Sequence, residues 1–91
     1  MTIWRSIMEI RDILNEREET YGDFRCVAEC CQDLKTVIRE HSNKNMKAHQ
    51  KESLDMICNK IARIICGDPE YKDSWADIAG YATLSADRCT K

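Results

Sequence analysis

Apolar residues recur along the chain at spacings of three and four. Ile3, Ile7, Ile10 and Leu14 form one such set, and Phe24, Val27, Cys31, Leu34 and Ile38 a second. Leu54, Ile57, Ile61, Ile64 and Ile65 form a third. Trp75, Ile78, Ala82 and Ser85, with Leu84 beside them, make a fourth. Each set is one stripe on an amphipathic helix, and no alternating stretch competes as a strand. The pattern predicts an all-α chain with helices over 2–17, 23–42, 46–66 and 69–87.

The expected boundaries have local causes. Thr20-Tyr21-Gly22-Asp23 breaks the first helix and offers Thr20 or Asp23 as the next N-cap. Ser42-Asn43-Lys44-Asn45 reads as a polar connector. Gly67 suits the left-handed position just past the third helix. Asp68-Pro69 reads as an N-cap followed by proline in the first helical position. Short connections make neighbouring helices antiparallel, which predicts a four-helix up-and-down bundle or paired helical hairpins in one domain spanning 1–91. A chain of 91 residues is near the lower end of what buries a self-sufficient core, so self-association into a homo-oligomer is expected.

Composition narrows the classes of function. A net charge of −2 with no basic cluster argues against direct nucleic-acid binding. No run approaches the length of a membrane span. The opening residues MTIWRSIMEIRD reach Arg5 early and lack an apolar core, so a cytoplasmic chain is expected. The cysteines at 26, 30, 31, 58, 66 and 89 show no C-x-x-C pair and are expected to be reduced, mostly as small core residues, with Cys89 the best candidate for an exposed thiol.

The acids carry the most chemistry. Glu52 and Asp55 are three apart on the third helix, and Asp73 and Asp77 four apart on the fourth, within the otherwise apolar stretch DSWADIAGYA. If the four converged they would form an oxygen-rich site for magnesium. In a tight hairpin, however, Lys60 and Arg63 come closer to the fourth helix than Glu52 does. That register points instead to ion pairs, Arg63 with Asp73 or Lys60 with Asp77, which fix how the helices dock.

Other stretches have a functional and a plain reading. Tyr21-Gly22-Asp23-Phe24 is either a turn with a cap or a corner presenting Tyr21 and Asp23 to a ligand cleft. Trp4 and Trp75 belong either to the core or to a partner-binding patch. The run from Asn43 to Lys51 is either a solvated connector or an anion-holding segment. There is no phosphate-binding glycine loop, no G-x-S-x-G and no H-E-x-x-H.

YGDF at 21–24 and ESLDMICNKIARIICGDPEYKDSWADIAGYATL at 52–84 resemble a family of small, mostly phage-encoded proteins of unknown function. The resemblance runs from Glu16 to Asp87. That family is in turn similar, more distantly, to nucleotide-modification-associated domains and to MazG-like all-α nucleotide pyrophosphohydrolases. MazG-like enzymes hold magnesium through E-E-x-x-E on one helix and E-x-x-D on the next. Here Lys51 replaces one of those acids, and Ser74 stands where another would be, with Asp73 adjacent. The resemblance therefore implies a phage-type accessory protein that binds a host protein or nucleotide without catalysis, for example to inhibit host antiviral defence, in the cytoplasm of an infected bacterium. Its ligand-binding residues would be Tyr21, Asp23, Lys60 and Arg63, and it would need no cofactor. The alternative is a magnesium-dependent nucleoside triphosphate pyrophosphohydrolase, with metal on Glu52, Asp55, Asp73 and Asp77.

Overall fold

The computed structural model describes residues 3–42 and 45–91, with side chains described from Glu9 onward. The side chains of Ile3, Trp4 and Ile7, and the connector residues Asn43 and Lys44, lie outside the described residues. Four helices follow one another: α1 (Ile3–Tyr21), α2 (Phe24–His41), α3 (Ala48–Cys66) and α4 (Lys72–Ala86). There is no strand among the described residues.

α3 is the central element. It packs most extensively on α4 and next on α2, while α1 meets α2 and α3 only sparsely. α2 and α4 do not approach each other among the described residues. Pairs across the α3–α4 seam run in opposite directions: Ser53 meets Ser85, and Lys60 meets Asp77. The α2–α3 seam is likewise antiparallel, with Cys26 bonded to Cys66 and Cys31 sharing the core with Cys58. The up-and-down sense expected of a helical bundle is present in α2, α3 and α4, arranged as an open layer.

The core is made of small side chains. Val27, Cys31, Cys58 and Ala62 are buried, with Cys30, Leu34, Ile38 and Cys66 packed partly against them. Ser53 and Ser74 are buried on α3 and α4. Small residues let helix backbones approach closely, so contact comes from proximity rather than from bulk. Burial pushes the Cys58 thiol above its ordinary value, which keeps it protonated. At the far end of the α3–α4 hairpin, the Ser85 hydroxyl donates to the His49 carbonyl at 3.1 Å and lies 2.6 Å from Ser53 Oγ.

Three expected boundaries shift. α1 continues past Arg17 to Tyr21, so Thr20 lies inside the helix. It ends where Gly22 takes φ +91, a left-handed conformation that favours glycine, with the Gly22 N–H donating to the Glu18 carbonyl at 2.8 Å. Asp23 caps α2, its carboxylate accepting from the Arg25 N–H. α3 begins at Ala48, where the Gln50 side chain accepts the Lys47 N–H at 2.8 Å. α4 starts three residues later than expected, because 68–71 closes as a separate turn. There the Asp68 carboxylate accepts from the Glu70 N–H at 2.9 Å, and the Tyr71 N–H reaches the Asp68 carbonyl at 3.1 Å.

Gly67 is not left-handed; its φ is −112. What demands glycine there is proximity. A Cβ on Gly67 would lie 2.5 Å from the Thr20 carbonyl oxygen and 2.7 Å from Gly22 N. The reverse also holds, since a Cβ on Gly22 would lie 2.8 Å from Cys66 Cβ. The α1–α2 turn and the α3–α4 turn thus pack backbone on backbone, and the Asp68 N–H donates across to the Thr20 carbonyl at 2.9 Å.

The cysteine expectation needs one correction. Cys26 and Cys66 form a disulfide, while Cys30, Cys31, Cys58 and Cys89 are free. The partners are 40 residues apart in sequence and meet because α2 and α3 are antiparallel. Cys31 and Cys58 are core residues as expected, and Cys89 is exposed.

Candidate functional site

The corner built by the two glycines positions Tyr21. Its ring lies on the last turn of α1, held edge to face against Tyr71 with centroids 5.4 Å apart and planes at 86°. Two guanidinium groups flank the same ring. Arg17, one turn earlier on α1, has its central carbon 5.0 Å from the ring centroid, and Arg63, on the last turn of α3, has its own at 4.6 Å. Both lie within cation–π range. The Tyr71 phenol is pushed up to about 12, first through the Tyr21 side chain beside it and then through Asp73, whose carboxylate accepts its hydroxyl at 3.2 Å.

Tyr21 also lines a cavity of about 510 Å³ between the end of α1, the start of α2 and the last turns of α3. Leu14, Phe24 and Val27 supply an apolar wall, Asn15 and Asn59 carry amides, and Arg17 and Arg63 bring positive charge. Glu18 and Asp23 add two carboxylates at its edge. Guanidinium groups present fixed pairs of N–H donors that match phosphate or carboxylate oxygens. The combination suits a flat ring system joined to an anion: apolar and aromatic surface for the ring, arginines for the charge, amides for the ring's polar edge.

Of the four residues expected at a ligand site, the fold brings Tyr21, Asp23 and Arg63 to this one cavity. Lys60 is elsewhere. Its ammonium lies 3.1 Å from Asp77 Oδ2, with the lysine side chain only 12% exposed and the aspartate 48%. This is one of the two pairs the hairpin register offered, and it explains why Asp77 stands among apolar residues: it neutralises a largely buried lysine. The other offered pair does not form, since Arg63 turns to Tyr21 and Asp73 accepts from Tyr71.

The four acids considered for magnesium are not gathered by the fold. Glu52 is exposed and Asp55 half-buried on α3; Asp73 and Asp77 are engaged as described. Among the described residues, no three His, Cys, Asp or Glu side chains stand close enough together to hold a metal ion. The donor set does not fit a magnesium centre as placed.

Sequence reasoning missed Arg17 and the apolar wall. The helix expected over 2–17 ends at Arg17, which hides that residue's place on the same face as Tyr21. Its spacing of four from Tyr21 was a usable signal, because residues four apart share a helix face. Trp75 is exposed rather than in the core, its indole N–H donating to the Pro69 carbonyl at 2.8 Å.

A family model described as a domain of unknown function, DUF6378, matches residues 6–89. The chain belongs to the DUF6378 family. No curated protein matches it, and no solved structure does. The DUF6378 match takes in the whole cavity and both glycine turns. No helix among the described residues is long and apolar enough to cross a membrane.

Proposed function

We propose that this DUF6378 chain binds a nucleotide in the Tyr21 cavity without turning it over, as a small phage-type accessory protein that blunts a host antiviral defence. One observation carries the binding part: an aromatic ring flanked by two guanidiniums at the wall of a cavity of about 510 Å³. Aromatic surface and arginine together recognise a base and its phosphate. The phage setting and the defence target rest on the sequence resemblance alone.

Calorimetric titration with nucleoside mono- and triphosphates and cyclic nucleotides, with magnesium present and products analysed in the same samples, tests this reading. Saturable binding without pyrophosphate release is expected, and Arg63→Ala should weaken it at least about tenfold by removing a charged donor. No binding to any nucleotide would overturn the reading and direct the search to a host protein as the partner. Release of pyrophosphate would favour the MazG-like alternative. Asp77→Asn separates the two once circular dichroism shows that the variant, which leaves Lys60 without its partner, is still folded: binding is then unchanged for a non-catalytic cavity, and turnover is abolished if Asp77 serves a metal.

A further inference from the structure

The chain exposes more surface than its mass warrants. Its accessible area is 7215 Å². A compact monomer of 10.6 kDa exposes about 5,500 Å². The excess of about 1,700 Å² exceeds the roughly 800 Å² that one partner buries in a standard stable interface. Shape agrees: the radius of gyration is 16.3 Å, against about 12 Å for a compact chain of this length.

Part of that exposed surface lies among the described residues of α1. On α1 every described residue from Glu9 to Glu19 is exposed, including the stripe of Ile10, Ile13 and Leu14. Leu14 lines the cavity together with Phe24, which is 82% exposed on the first turn of α2. Leu14 thus joins the stripe to Phe24 in one apolar face, while no large side chain is fully buried among the described residues. Such a face on a chain this size is an interface awaiting its partner.

We infer that a second copy of this chain covers it, with α1 of each copy packed along α1 of the other so that the Ile10–Ile13–Leu14 stripe meets its own equivalent and the partner's helix walls the open side of the Tyr21 cavity. A two-fold pairing uses the same patch on both subunits, which a stripe exposed along one helix satisfies.

Sedimentation equilibrium of the full chain across the micromolar range, with no nucleotide present, tests this. A mass at least twice 10.6 kDa is expected at the upper end. Hydrogen exchange at low and high concentration then locates the interface, with protection growing along α1 and at the start of α2. The double variant Ile10→Glu, Ile13→Glu should sediment at half the wild-type mass while keeping its helical circular dichroism. A wild-type monomer at every concentration, or protection gained only on α4 around Trp75 and Leu84, would overturn the inference. So would a folded double variant that still associates. If the double variant loses helicity, the wild-type exchange map decides. Because no ligand enters these measurements, their failure leaves the nucleotide reading standing, and a failed titration leaves this one standing.

Discussion

At the corner where α1 turns into α2, backbone lies on backbone. Gly22 and Gly67 leave no room for a Cβ, Asp68 donates to Thr20 across the gap, and the Cys26–Cys66 bond closes the same corner covalently. Two turns upstream on α1, Ile10, Ile13 and Leu14 are all more than half exposed. The corner is held by small residues and main-chain hydrogen bonds; the helix leading to it carries the bulky apolar side chains and buries none of those described. Large side chains contribute most of the transferable apolar area, so a chain that keeps them outside its own core retains that free energy for association. Small residues placed where two turns cross do the opposite: they fix geometry tightly with little area. The candidate site sits between these two regimes, with Tyr21 and Arg63 held by the corner and Leu14 and Phe24 supplied by the open face.

Breaking the corner should have the largest effects. Reducing the Cys26–Cys66 bond, which spans 40 residues, should lower the unfolding free energy by about 4 kcal/mol through the restored freedom of the unfolded chain. Urea titrations with and without reductant measure this. If reduction changes stability by less than about 1 kcal/mol, the non-covalent contacts alone hold the corner. Gly22→Ala comes next, at about 3 kcal/mol, because the new methyl combines a left-handed backbone conformation with a clash against Cys66. Thermal unfolding of this variant should show the loss under oxidising and reducing conditions alike. The contrast is sharpest at the other region. In dilute solution, below the association range, Ile13→Glu should change stability by less than about 0.5 kcal/mol, since its side chain contributes nothing to the monomer's core. A cost of several kcal/mol for Ile13→Glu in the monomer would mean that α1 is part of the folding core and that the two regions do not differ as described.

Much of the helical layout was legible because apolar periodicity is local. The stripe Val27, Cys31, Leu34, Ile38 does face the core, and Asp23 does cap α2. The α1 stripe is equally regular, and yet its described members Ile10 and Leu14 face outward, because periodicity reports that a face is apolar and not what covers it. Phe24 and Trp75 also sit on apolar stripes and are exposed, which for Trp75 excludes the core reading. The antiparallel register suggested by short loops offers Lys60 with Asp77 as one of two pairs, and that one forms. It could not choose between Arg63 pairing with Asp73 and Arg63 stacking on Tyr21, since that choice depends on how a third helix enters the corner.

The candidate site divides the same way. Tyr21, Asp23 and Arg63 could be suspected from residue type, but they are up to 42 positions apart and share a cavity only because two turns cross. The disulfide was invisible to spacing, and its partners meet only once α2 and α3 align. By itself the sequence determined the helices and their antiparallel order, both of which follow from neighbours within a few positions. Tertiary structure alone decided that Gly67 serves closeness rather than a left-handed turn, that the acids stay apart, and that α1 turns its apolar side to solvent. Those outcomes depend on where distant backbones end up in space, and local patterning places no constraint on that distance.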